Sequence, residues 1–282
     1  MTDIMKTLLR FALPIIIGTT VLVGCGDSSG PDGDTGTLKV VMTDAPFPID
    51  MVAEANVSIE RIEMRSKDTA DGEDFITLTD IDTTLNLVDL RNGLTATLAE
   101  IEVPVGEYDL VRVIIGDATI KLVDGREFEL KVPSGQTSGI KVFVSPMIDV
   151  EGGLTTELLL DFDLSSSFVV QGNPSTPAGI NGFNFKPVIR AVNVSTAGRV
   201  EGTVTDTLDQ PIENVYIALK GDEVDEIYEA YTEADGDYAL LGVPAGTYTL
   251  EIAMEGYQTV TLTGVVITAA NKTEKDVELR VE

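Results

Sequence analysis

From residue 37 to the C-terminus, apolar residues recur at every second position in short runs broken by turn residues. A period of two sends alternate side chains to opposite faces of an extended strand, whereas a surface helix repeats at 3.6. No long segment carries the helical period. Short strands separated by frequent turns assemble into sandwiches or barrels. The expected class is therefore all-β, with a larger N-terminal domain built as a sandwich or barrel-like fold and a smaller C-terminal sandwich.

Local patterns add detail. Leu38, Val40 and Met42 alternate with Lys39, Val41 and Thr43. Val57 and Ile59 share one face and Ile62 and Met64 the other, a change of phase that predicts a bulge near Arg61. Residues 118–132 are the clearest element: Ile120 and Leu122 precede Asp124-Gly125, and Phe128, Leu130 and Val132 follow it. Asp-Gly between alternating runs predicts a type I′ hairpin. Further strands are expected at 107–115, 139–145, 155–163 and 183–194, and a helical turn within 92–100.

Charge and residue inventory narrow the chemistry. The 282 residues hold 19 Lys+Arg against 47 Asp+Glu, a net charge of −28. Such a chain is repelled by phosphate backbones, so nucleic acid is not an expected partner. There is no His, no Trp and one Cys. That removes His-dependent triads, Cys–His pairs, most zinc sites and any internal disulfide. No catalytic residue and no cofactor is expected. Asp161 and Asp163, at i and i+2 of a strand, point the same way, and Asp44 joins them if the first strand lies alongside. They are weak cation candidates, since Ca²⁺ takes six to eight oxygens and no loop with Ca²⁺-ligand spacing is present. The favoured role of all three is structural, capping strand ends or accepting backbone N–H bonds, and the expected metal content is none.

The first 36 residues specify an address. Lys6 and Arg10, with Asp3, precede FALPIIIGTTVLVG, residues 11–24, which are apolar or small throughout. This is short of the roughly 20 residues a bilayer span needs and suits the hydrophobic part of a signal peptide, residues 1–24. Translation from Met1 or from Met5 remains open. Leu22-Val23-Gly24-Cys25 resembles a bacterial lipobox, which implies cleavage before Cys25 and acyl chains on that residue. Residues 25–36 contain no large apolar side chain after Cys25 and read as a tether with a reach of roughly 20 Å. The membrane is thus the expected partner through an N-terminal lipid. The expected location is the bacterial cell envelope, the outer membrane favoured over the inner.

Two family resemblances follow. Thr43-Asp44-Ala45-Pro46, Val103-Pro104-Val105-Gly106-Glu107-Tyr108, Leu160-Asp161-Phe162-Asp163 and Phe185-Lys186-Pro187-Val188-Ile189-Arg190 occur in that order. They resemble the bacterial family called domain of unknown function 4382, over about residues 37–196. That family implies envelope proteins and no activity. Over 199–282, Gly202-Thr203-Val204-Thr205-Asp206, Asp235-Gly236, Val243-Pro244-Ala245-Gly246-Thr247-Tyr248 and Gly256-Tyr257 resemble the carboxypeptidase regulatory-like domain, which implies a non-catalytic, transthyretin-like sandwich. Within it, Tyr248, Leu250 and Ile252 are expected on one face. Residues 272–282 are expected as a closing strand with Val277, Leu279 and Val281 inward. The stretch Asp222–Glu229 reads as a solvated edge hairpin. Most of the six Tyr residues there are expected in the core. The echo between residues 103–110 and 243–250 reads as one turn-into-strand solution used twice.

These readings converge on a non-enzymatic, lipid-anchored envelope protein serving binding, adhesion or structure, with an unknown envelope protein or polysaccharide as partner. Carbohydrate recognition is the alternative, and coplanar exposed Tyr rings on one sheet would favour it. A carboxylate-based glycoside hydrolase is the remote alternative, because no carboxylate pair stands in a recognisable motif. Residues 199–282 hold 5 Lys+Arg and 18 Asp+Glu, or −13, a denser charge than the rest. In calorimetry of the mature chain, raising NaCl from about 0.01 to 0.15 M, where screening shortens from about 30 to 8 Å, is expected to raise the melting point of this region. Ca²⁺ at matched ionic strength is expected to add no saturable shift.

Overall fold

Strand β2 (Val52–Ser66) turns alternation into curvature. The computed structural model describes residues 33–45, 51–67, 75–132, 138–221 and 227–282. In it β2 pairs antiparallel with β6 (Gly106–Leu122), and the register slips at Val57/Ile59 and again at Ile59/Arg61. These slips lie where the phase change predicts a bulge. They bring Val57, Ile59, Ile62 and Met64 into one core, all fully buried. A bulge also bends and twists its strand, which helps the sheet to curl.

The sheet runs β3 (Phe75–Thr79), β2, β6, β8 (Ile140–Val150), β12 (Ile189–Asn193), β9 (Thr155–Asp163), β1 (Thr35–Ala45), β5 (Ala96–Pro104). Short strands β4 (Thr83–Asn86) and β7 (Glu127–Leu130) add to β2 and β6. The end strands β3 and β5 come alongside one another without pairing. Of the two architectures expected for this region, the structure is a near-barrel around a single apolar core.

Three expectations change in detail. The hairpin at 118–132 forms, with Ile120 opposite Phe128, but its turn is not type I′. Only Gly125 has positive φ in the loop (89°), and the Gly125 N–H bonds to Leu122 O while Leu122 N bonds to Arg126 O. This is a three-residue loop closed by a glycine in the left-handed region, the geometry of a G1 bulge. The helical turn lies at Leu87–Leu90 rather than within 92–100, where β5 begins instead. The span 183–194 is two strands, because Lys186-Pro187 interrupts it and Pro187 cannot donate to a ladder. Before the break, β11 (Ile180–Phe185) forms a ribbon with β10 (Phe168–Gly172); after it, β12 enters the main sheet.

The C-terminal region has its own core and two four-stranded sheets. One is β16 (Asp237–Pro244), β13 (Ala197–Asp206) and then β19 (Lys272–Glu274), with β20 (Val277–Leu279) also on β13. The other is β15 (Ile227–Tyr231), β14 (Tyr216–Gly221), β17 (Gly246–Ala253) and β18 (Val260–Ile267). Tyr248, Leu250 and Ile252 lie together in the core. The closing strand is split: β19 and β20 both run parallel to β13. Val277 and Leu279 are buried, but Val281 is 70% exposed, because the ladder with β13 ends at Leu279. Tyr228, Tyr238 and Tyr248 are buried, and Tyr216, Tyr231 and Tyr257 are half-buried, so half of the six tyrosines rather than most are core. Strand β15 is an edge strand, as expected for an acidic hairpin; residues 222–226 lie outside the described residues.

The sequence echo has a structural cause. Tyr108 Oη donates to Pro104 O at 2.8 Å, and Tyr248 Oη donates to Pro244 O at 2.8 Å. Each ring is almost wholly buried and ties a strand back to the turn that launches it, the logic of a tyrosine corner. Burial also pushes the Tyr108 phenol above its ordinary pKa, so it stays a donor. Tyr108→Phe and Tyr248→Phe each strand a carbonyl without its partner. Each is expected to lower unfolding free energy by about 1 kcal/mol in denaturant titrations, with the fold retained.

Candidate functional site at the domain joint

Thr43 on β1, Asp161 on β9 and Arg190 on β12 are direct cross-strand neighbours, Thr43 opposite Asp161 and Asp161 opposite Arg190. Directly opposed residues share a face, so a threonine, a carboxylate and a guanidinium stand in one row. Arg190 Nε and Nη2 donate to Asp161 Oδ2 at 3.1 and 2.5 Å. Asp161 is buried, and desolvation raises its pKa although Arg190 offsets part of the effect. Burial works against the charge on Arg190, but the charge and hydrogen bonds of Asp161 outweigh it and raise the Arg190 pKa.

Arg190 also reaches out of its own domain. Its guanidinium carbon lies 4.8 Å from the centre of the Tyr228 ring on β15. That is within cation–π range, and partial desolvation strengthens such a contact. The Thr43 hydroxyl lies 3.1 Å from Leu90 O and 3.0 Å from Leu94 O, so its one proton is shared between the two carbonyls that bracket this loop. This loop meets the second domain: Asn92 Nδ2 donates to Glu233 Oε1 at 2.8 Å, and Arg91 lies 3.9 Å from the same oxygen.

Two glycines permit the close approach. Gly242 has φ of 66°, and a Cβ there would lie 2.9 Å from Leu159 Cδ2 of the first domain. Gly93 has φ of 80°, and its Cβ would lie 3.1 Å from Ala239 Cβ of the second. A side chain at either position would be strained by backbone and neighbour alike.

The three carboxylates singled out from the sequence lie close together, yet each serves a different partner. Asp161 holds Arg190. Asp163 Oδ1 accepts from Ser166 N and Ser165 Oγ, both at 2.8 Å, and caps the one-turn helix Leu164–Ser167. Asp44 Oδ1 accepts from Leu164 N at 3.3 Å, while Asp44 Oδ2 is buried without a partner. Desolvation, then the charge of Asp161, push the Asp44 carboxyl well above the usual range; the Leu164 N–H works the other way. Among the described residues, no three His, Cys, Asp or Glu side chains are grouped to hold a metal ion.

Asp44, Asp161, Arg190 and Tyr228 line one small cavity of about 20 Å³, room for a single water. Beside it an open cleft of about 1050 Å³ runs between the domains, its walls bearing Arg91, Glu157, Arg199, Glu233, Asp237 and Lys272. This arrangement can bind and orient. Arg190 and Tyr228 went unrecognised as a pair, because the sequence does not reveal that β12 and β15, in different domains, face each other. Cys25, the segment expected to be a signal peptide, most of the expected tether and Pro46 lie outside the described residues. No helix among the described residues is long and apolar enough to cross a membrane.

The family described as Domain of unknown function (DUF4382) matches residues 35–187, and the Carboxypeptidase regulatory-like domain matches residues 199–280. No curated protein matches the chain in sequence. Among solved structures, a cohesin–X-dockerin complex from Acetivibrio cellulolyticus is 19% identical over 30% of this chain and 58% of its own, with a TM-score of 0.25. The 3-chlorocatechol 1,2-dioxygenase of Rhodococcus opacus 1CP is 14% identical over 30% of this chain and 59% of its own, TM-score 0.25. The chain thus spans less than two thirds of the length of either. A shaft pilin from Lactobacillus rhamnosus GG is 10% identical over 88% of this chain and 97% of its own, TM-score 0.28.

Removing Arg190 leaves Asp161 buried without its counter-charge. Arg190→Gln is expected to destabilise by about 3–5 kcal/mol in chemical denaturation, and Arg190→Gln with Asp161→Asn by clearly less than the single variant.

Proposed function

We propose, for a chain that belongs to the family described as Domain of unknown function (DUF4382) and carries a carboxypeptidase regulatory-like domain behind it, that it is a non-enzymatic envelope lipoprotein. Acyl chains on Cys25 hold it at a bacterial membrane, the outer membrane first. Residues 25–36 lift it off the surface. A domain of residues 37–196 and one of residues 199–282 then act together as a binding, adhesion or structural module.

The observation that carries this reading is the joint. The guanidinium of Arg190, bonded to Asp161 within the first domain, lies against the Tyr228 ring of the second. Domains on an open linker move independently by default; a charged contact, a hydrogen bond and two glycine-lined approaches at one junction favour a stiff pair. The residues with displaced pKa at the joint, Asp44, Asp161 and Arg190, have packing and pairing roles there. Carbohydrate recognition by a flat aromatic platform loses support: the Tyr216 and Tyr231 rings, 5.5 Å apart, are inclined by 53°.

Lipid anchoring is tested in growing bacteria. Wild-type protein is expected to incorporate labelled palmitate and to fractionate with the envelope. Cys25→Ser is expected to lose the label and to appear as uncleaved precursor or soluble protein. Equal labelling of the two would sink the assignment of Cys25.

A further inference from the structure

Asp44 is a carboxyl group with no ion-pair partner among the described residues, beside the joint between the two domains. It is 4% exposed, its Oδ1 takes a long bond from Leu164 N, and its Oδ2 has no partner. Arg190, which lines the same small cavity, is already committed through two bonds to Asp161 and lies against Tyr228. The charged and titratable groups around Asp44 are Asp161 on β9, Asp163 at the end of β9, Arg91 in the loop before β5, Arg190 on β12, and Tyr228 with Glu229 on β15. Asp161 is bonded to Arg190, yet its charge still works against an ionised Asp44. Arg91, the basic group that favours ionised Asp44, has the weakest influence of those acting on it. A second negative charge there would be buried and unpaired, which is costly unless the group takes up a proton.

We propose that the joint is a proton-dependent latch: Asp44 is neutral when the domains are closed, and loss of its proton opens them. With Asp44 neutral, the cluster is balanced and Arg190 is free to keep its place between Asp161 and Tyr228. With Asp44 ionised, relief comes by drawing Arg190 away from the Tyr228 ring or by admitting water. Tyr228, Glu229 and Ala239–Leu241 of the second domain line one side of the cavity, so lifting that domain admits more water than the single molecule the closed cavity has room for.

The sign follows from linkage. The Asp44 pKa is raised in the closed protein above that of an exposed carboxyl, the state toward which opening would move it on this proposal. Its contribution to closure is therefore complete below the ordinary carboxylate pKa of about 4 and is lost as pH rises through the elevated value. Acid closes the joint and alkali loosens it. The inference rests on the joint alone and holds whether or not Cys25 is acylated.

The test is an interdomain distance measured by pulsed electron spin resonance, with labels on Val123→Cys and Leu208→Cys, both exposed, in the full chain carrying Cys25→Ser. Between pH 5 and 9 the parent is expected to pass from one narrow distance to a broader second population. Asp44→Asn, which imitates the protonated side chain, is expected to stay narrow throughout. Tyr228→Leu, which removes the ring under Arg190, is expected to be broad at every pH. A parent distance that ignores pH, or an Asp44→Asn protein that follows the parent curve, would overturn the latch. So would an Asp44→Asn protein that does not fold, because the neutral side chain is the native one on this account.

Discussion

Arg190 answers to two domains at once, and much of the structure is arranged around that demand. Its two bonds to Asp161 neutralise a carboxylate that burial would otherwise disfavour. Its outer side lies near Tyr228, a residue of the second core. A buried ion pair is weak evidence of net stability, since desolvating both ions offsets most of their attraction. Its place is notable instead for what it joins: the guanidinium is bonded to Asp161 in the first domain and lies 4.8 Å from the centre of the Tyr228 ring in the second. Gly93 and Gly242 are the backbone counterpart, because a side chain at either would hold the surfaces apart.

The same economy appears within each domain. Bulges in β2 bend the large sheet toward closure, and the end strands β3 and β5 meet without pairing. Two buried tyrosine hydroxyls, one per domain, hold a strand to its preceding turn through the same four-residue reach. Such ties fix where a strand begins, which a period-two pattern alone leaves loose.

Acidity has a physical role in this picture. Charges of one sign across most of the surface keep sheet edges from pairing with other chains, and they repel nucleic acid. They also make the few cations valuable. Lys39, Lys121 and Lys220 each meet a Glu across a strand pair, and Arg65 grips Asp109 with three contacts. Arg190 differs in having an aromatic partner in another domain.

The alternation of Leu38, Val40 and Met42, the phase change before Ile62 and the Asp-Gly at 124–125 were enough to read an all-β chain, a bulged strand and a hairpin, because side-chain direction along a strand is a local property. Turn and strand landmarks were likewise enough to read two domains, their families and a turn-into-strand solution used twice, but not the tyrosine hydroxyl bonds that explain it. Composition alone removed His-dependent chemistry. Whether the first domain was a sandwich or a near-barrel depended on which distant strands paired. The exit of Val281 from its sheet and the split at Pro187 depended on where ladders ended. Asp44, Asp161 and Asp163 were visible as neighbours in the strand pattern, but not that each would take a different partner. That was decided by the packing of β1, β9 and β12 against one another and of the second domain on Arg190, because burial and counter-charge are set by what comes near in space, which spacing along the chain does not encode.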